Sequence, residues 1–152
     1  MGKKKFYTLK ENRVIYAFLS PDRNCFYINS CRENTIRETY RHNMKGRRYF
    51  SENFISTIAP DRPCMFILEK CFITEAEAYR HIVAWVKVFL DKDYIPYNFE
   101  GTLMHACEML DETLAIYNQI KSINIKELIT CSNCVVKNYS KKLCDNFNIY
   151  SI

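Results

Sequence analysis

Two apolar and aromatic runs open the pattern, Arg13-Val-Ile-Tyr-Ala-Phe-Leu19 and Cys25-Phe-Tyr-Ile-Asn29, separated by Ser20-Pro-Asp-Arg-Asn24. β-Branched and aromatic side chains suit a pleated surface, and the intervening residues are turn formers, so this segment predicts a β-hairpin. Asn34 is placed to cap a polar, basic helix over Thr35 to Met44 that stops near Gly46. Phe50, Phe54, Ile55 and Ile58 recur at helical spacing ahead of Pro60 and predict a short helix. Cys64-Met-Phe-Ile-Leu68 is a continuous apolar run of strand length, which predicts a third, buried strand.

The best-marked helix begins at Thr74. Thr74-Glu-Ala-Glu77 has the spacing of a capping box, in which the threonine accepts an amide N–H bond and Glu77 reaches back. Ala78, Ile82, Trp85, Val86, Phe89 and Leu90 then form one apolar stripe, with Ile82 facing inward. A further amphipathic helix is predicted from Thr102 to Lys121, with Leu103, Ala106, Cys107, Leu110 and Leu114 on one side. From Ile123 to Ile152 the chain is polar and carries Cys and Asn without a clear period. These elements predict an α+β fold: a small three-stranded antiparallel sheet flanked by helices over residues 1–100, with a helical, Cys-containing extension over 101–152.

Composition agrees with a packed domain, since 48% of residues are hydrophobic and only three are glycine and four proline. Met1-Gly-Lys-Lys-Lys-Phe6 leads into polar residues rather than an apolar core, and Phe6 stands where a myristoylation motif needs Ser or Thr. No apolar run reaches the ~18 residues needed to cross a bilayer. The expectation is an intracellular protein, cytoplasmic or nuclear, without a membrane partner. Its eight cysteines are then reduced, and Cys25, Cys64 and Cys71 in strand-like runs act as small hydrophobes. Cys131-Ser-Asn-Cys134 has a spacing at which both thiolates reach one Zn²⁺, with Cys144 as a third candidate and His105 or Cys107 as a fourth.

The net charge of +5 is unevenly placed. Arg32, Arg37, Arg41, His42, Lys45, Arg47 and Arg48 cluster on and after the first helix, interleaved with Tyr40 and Tyr49. Such a patch attracts nucleic-acid phosphates through counterion release. A solvated helix face is the plainer reading of the same residues.

A hairpin with a tyrosine on each strand, followed by an arginine on a basic helix, resembles the GIY-YIG nucleases. Val14-Ile-Tyr16 and Tyr27-Ile-Asn29 match the two name-giving motifs, and Ser30 follows as it often does there. Arg37 stands at the spacing of the family's helix arginine, and His42 lies one residue later than its histidine. Thr74-Glu-Ala-Glu-Ala78 and Ile95-Pro-Tyr-Asn98 resemble the glutamate helix and the Pro-x-Tyr-Asn ending of the repair nucleases. The resemblance implies phosphodiester cleavage with Mg²⁺ or Mn²⁺, with Tyr16, Tyr27, Arg37, His42 and Asn98 at the inherited site. Fixed cations there would offset charge building on the phosphate.

The same alignment puts the family's metal-binding glutamate at Ile82, which cannot bind a cation. Glu77 is about 140° away around the helix, at roughly 100° per residue, and His81 alone suits Mg²⁺ poorly because hard cations take oxygen ligands. Glu69 or Glu75 would have to reach in from elsewhere. Val14 and Asn29 replace the two motif glycines and would crowd a site that admits DNA backbone. These departures predict a degenerate domain that has lost cleavage, its cleft turned into core, and that binds nucleic acid through the basic helix. Two alternatives stand beside it. One is a protein-binding inhibitor or adaptor of phage or mobile-element type, its basic patch docking on an acidic or nucleic-acid-binding protein. The other is an active endonuclease with a relocated metal ligand.

Overall fold

A computed structural model describes residues 9–22, 24–44, 54, 63–130 and 133–135. The hairpin forms as predicted, β1 (Glu11–Leu19) running antiparallel to β2 (Cys25–Arg32) with Phe18 opposite Tyr27 and Tyr16 opposite Asn29. Its turn is closed by its own side chains. Ser20 Oγ donates to Asp22 at 2.5 Å, and the backbone amides of Cys25 and Asn24 donate to Ser20 Oγ and Asp22 Oδ1 at 3.0 and 3.1 Å. The Ser20 bond is the chief reason the Asp22 carboxyl sits below its ordinary pKa.

A 3₁₀ turn, Glu33–Thr35, leads directly into α1 (Ile36–Met44). Asn34 lies inside that turn and no side chain caps it, so the expected Asn34 cap does not form. The turn's own i→i+3 bonding supplies the helix start instead. Of the short helix expected between Gly46 and Pro60, Phe54 alone is described, helical and buried, and the rest lies outside the described residues.

β3 (Cys64–Ile73) pairs antiparallel with β1 and continues past Leu68 through Glu69, Cys71 and Ile73. Polar residues end the apolar run at Leu68, but Glu69 and Cys71 turn partly inward while Lys70 and Phe72 face water, an edge-strand alternation. The register shifts between Ile15 and Tyr16, which pair with Glu69 and Ile67. α2 (Glu75–Asp91) carries both capping-box bonds, Glu77 N–H to Thr74 Oγ1 at 3.1 Å and Thr74 N–H to Glu77 Oε1 at 3.2 Å. It ends in a Schellman motif: Tyr94 N–H donates to Phe89 O, Asp93 N–H to Leu90 O, and Asp93 takes a positive φ of 66°. The Phe89 and Tyr94 rings close that motif 5.0 Å apart.

The sheet is not purely antiparallel. Ile95–Pro96 adds a two-residue strand, β4, parallel to β2, giving a four-stranded mixed sheet in the order β3-β1-β2-β4. A proline that cannot donate to a ladder fits only such an edge. Beyond Tyr97 the role of a strand passes to a side chain: Asn98 Oδ1 accepts from Ile28 N–H at 2.8 Å and Asn98 Nδ2 donates to Ile28 O at 2.6 Å. On the opposite edge, Cys134 bridges to Phe66 of β3.

The single helix expected over Thr102 to Lys121 is two, α3 (Glu100–Cys107) and α4 (Asp111–Ile120), followed by a short α5 (Ile125–Leu128). Asp111 and Glu112 fall in the first turn of α4, where carboxylates complement the helix N-terminus, and Leu110 is extended at its N-cap. The break changes the buried face. Leu110 and Leu114 point to water while Thr113 and Ile120 go inward, and of the expected stripe Ala106 alone is fully enclosed.

β1 is central and covered on both faces, so Val14 through Leu19 read as one continuous apolar run. One face carries Tyr16, Phe18 and Tyr27, with Phe18 stacked on Tyr27 and on Tyr40 of α1 at 6.4 and 6.3 Å. On the other face Phe26 meets Phe89 of α2 at 5.0 Å. Among the described residues no helix is long and apolar enough to cross a membrane.

Candidate functional site

A cleft runs along the outer side of β2 between α1 and α2. Its larger part, about 440 Å³, is bordered by Glu11, Arg13, Asn29, Thr39, Glu75 and Ile82, and a smaller part of about 180 Å³ by Tyr27, Asn29, Ile82, Asn98 and Thr102. Asn29 and Ile82 border both. Ile82 is 7% exposed and belongs to the core cluster, yet the cleft above it stays open. Ile82 is thus part of the core, as expected, and at the same time the apolar floor of an open cleft.

The structure brings together three of the resemblance-bearing positions, Tyr27, Ile82 and Asn98. Asn29 Nδ2 donates to Tyr27 Oη at 2.7 Å, and its Oδ1 accepts from Ser30 N–H at 2.8 Å. The Asn29 side chain thus engages the tyrosine hydroxyl. Asn98 is committed to the Ile28 main chain, which makes it a positioning residue for β2. Tyr16 is fully buried beneath the sheet surface, edge-on to Phe18 at 5.5 Å. Arg37 and His42 are exposed on α1 and border neither part of the cleft.

Charge inside the cleft cancels. Arg13 donates through Nη1 to Glu11 at 2.8 Å and through Nη2 to Ser30 Oγ at 3.2 Å, while Arg32 lies 3.8 Å from Glu11. Glu75 adds a second carboxylate to the lining. Positive charge is instead exposed on the outer side of α1, at Arg37 and Arg41, with Glu38 between them. Arg37 and Arg41, one helical turn apart, share a face. Lys45, Arg47 and Arg48 lie outside the described residues.

No family model, curated protein or solved structure matches the chain.

The polar chemistry of α2 gathers on its other flank, over β3. His81 Nδ1 lies 2.5 Å from Glu69 Oε1, and Trp85 Nε1 donates to the same oxygen at 2.8 Å. Cys71, two residues along β3, joins Glu69 and His81 in a group whose ligand atoms all lie within 4.8 Å of one another. Burial pushes the Glu69 carboxyl up, but the His81 and Trp85 bonds and the His81 charge outweigh it and hold the carboxyl below its ordinary pKa. Burial, with Glu69 nearby, raises the Cys71 thiol to about 11. Glu69, Cys71 and His81 are each visible in the sequence as single candidates, but their convergence is not. An apolar run that ends at Leu68 hides that Glu69 and Cys71 share one strand face. Of the C-terminal cysteines expected to bind zinc, Cys134 is buried in the core against β3, while Cys131 and Cys144 lie outside the described residues.

A third groove, about 770 Å³, separates α2 from α3 and α4. Val83, Met109 and Leu110 supply its apolar surface, and Glu108, Asp111 and Glu112 its acidic rim. Arg80 pairs with Glu112 at 2.9 Å, and Tyr79 Oη lies 2.7 Å from His105 Nδ1.

Proposed function

We propose that this chain is a degenerate domain of the GIY-YIG nuclease type, without cleavage chemistry, that binds nucleic acid along the outer face of α1. One observation carries the reading. The cleft retains its tyrosine and asparagine, but Ile82 forms its floor and Asn29 occupies the Tyr27 hydroxyl at 2.7 Å. A phosphodiester cleaved with a divalent cation needs a carboxylate to hold that cation and a hydroxyl to meet water or phosphate. Ile82 offers no carboxylate at the floor, Glu11 is paired with Arg13, and the Tyr27 oxygen already accepts from Asn29. Glu75 is the carboxylate nearest the requirement for a relocated ligand, since it borders the cleft, whereas Glu69 is bonded to His81 and Trp85 on the other flank.

Binding on the outside of α1 is supported by the charge distribution. Guanidinium forks at Arg37 and Arg41 suit phosphate oxygens, and the balanced interior of the cleft offers no comparable attraction. Electrophoretic mobility with double- and single-stranded probes at two salt concentrations tests it. A footprint of about four phosphates gives a loss of affinity over a tenfold rise in salt of roughly four-thousandfold on duplex and about six-hundredfold on single-stranded probes. Arg37→Glu with Arg41→Glu should weaken binding by at least about tenfold, since two contacts are reversed. Absence of binding at low salt would overturn it. In a nuclease assay with Mg²⁺ and Mn²⁺ the natural protein is expected to be silent and Ile82→Glu combined with Asn29→Gly to gain cleavage. Robust cleavage by the natural protein refutes the inactive reading.

A second reading, a protein-binding inhibitor or adaptor, is supported by the groove between α2, α3 and α4. Leu110 on this groove is 79% exposed, and residues 99–120 hold four carboxylates and no lysine or arginine. Such a surface favours a basic, apolar segment of another protein, and binding to it would be insensitive to changes at Arg37 and Arg41.

A further inference from the structure

The geometry points to a zinc site formed by Glu69, Cys71 and His81, joining the edge strand β3 to α2. It lies on the opposite flank of α2 from the cleft and does not depend on the nuclease-type reading. Glu69 and Cys71 are two residues apart on β3, and a strand's period of two puts both side chains on one face. α2 crosses that face and places His81 there by packing Trp85 and Ile82 into the core.

The donor set suits the metal. Zn²⁺ is borderline-soft and accepts thiolate, imidazole and carboxylate together, whereas Mg²⁺ and Ca²⁺ require oxygen ligands. Bonds of about 2.0 Å to N and O and about 2.3 Å to S place neighbouring tetrahedral ligands roughly 3.3 to 3.6 Å apart. The three ligand atoms here already lie within 4.8 Å of one another. Closing on the ion requires His81 and Glu69, now 2.5 Å apart, to separate by roughly 0.8 Å. All three side chains are half-buried, so a water completes the coordination from the solvent side.

Surrounding groups serve such a site. Trp85 Nε1–H holds the Glu69 carboxylate at 2.8 Å, the orienting bond that metal-bound carboxylates usually receive. Arg13 pairs with Cys71 across the β1–β3 ladder and is the nearby cation that would oppose a metal. Both of its Nη donors, however, are drawn toward the cleft by Glu11 and Ser30. Zn²⁺ joins the Cys71 sulfur, the His81 imidazole and the Glu69 carboxylate; the thiol proton is released to solvent, and the proton that His81 Nδ1 now directs at Glu69 moves to solvent or, in the neutral ring, to Nε2.

The test uses the full chain, stripped with chelator and kept reduced, titrated with Co²⁺ and then Zn²⁺. One equivalent of Co²⁺ is expected to give a thiolate-to-cobalt charge-transfer band that Zn²⁺ abolishes. Cys71→Ser should remove that band while the circular dichroism of the metal-free protein is unchanged. Glu69→Gln retains the shape and the thiolate and should keep the band but bind at least about tenfold more weakly. A Cys131→Ser, Cys144→Ser variant should behave as the natural protein. The proposal is overturned if no band develops at one equivalent, if Cys71→Ser retains it, or if the C-terminal double variant loses it.

Discussion

The two flanks of α2 differ in a way that the helix alone does not explain. Ile82 and His81 are consecutive, yet one floors an open cleft whose Glu11 and Arg13 are paired with each other, and the other belongs to a network of Glu69, Cys71 and Trp85. The cleft has the room, and the opposite flank has the donor atoms. A concavity therefore locates chemistry only where the side chains that converge on it can act, and here the densest convergence lies beside β3 rather than in the cleft.

Substitutions on the two flanks sharpen this contrast. Trp85→Ala should have the largest effect, about 3–5 kcal/mol in urea denaturation, because it deletes a fully buried indole. It also strips Glu69 of a donor. Ile82→Ala should cost less, about 2 kcal/mol, the low end for such a deletion, because the void merges with a cleft that water already reaches. Equal losses at the two positions would mean that the flanks are packed alike. Asn98→Ala should cost about 1–3 kcal/mol by leaving the Ile28 N–H and C=O without their partner. Trp85→Phe should cost the least, about 1–2 kcal/mol, since the ring volume is mostly kept and one N–H bond to a carboxylate is lost.

Local signals were readable and distant ones were not. The hairpin, the buried third strand and the capped helix at Thr74 follow from contacts between residues a few positions apart. The turn side chains Ser20 and Asp22 and the Thr74–Glu77 pair show those contacts directly. The break between α3 and α4 is masked in the sequence because Leu103, Ala106, Cys107, Leu110 and Leu114 keep a helical period across it. The acidic pair Asp111-Glu112, which marks a new N-terminus, was the overlooked sign. β4 was missed because two residues carry no period at all. The Glu69, Cys71 and His81 group depends on how far β3 runs and on which face α2 crosses. An acid and a cysteine two apart at the end of a strand, with a histidine on the next helix, is the pattern that would have raised it.

The asparagine clamp on β2 has a consequence for the order in which the chain assembles. Asn98 and Ile28 are separated by 70 positions. β2 can therefore gain its second set of main-chain partners only after α1, β3 and α2 have been synthesised. A contact of that span must be closed against loop entropy, which slows folding relative to a helix of local bonds. The β1–β2 hairpin can nucleate early, but its outer strand stays a receptive edge until Asn98 arrives, and a chain that stops short of residue 98 would present that edge to its neighbours.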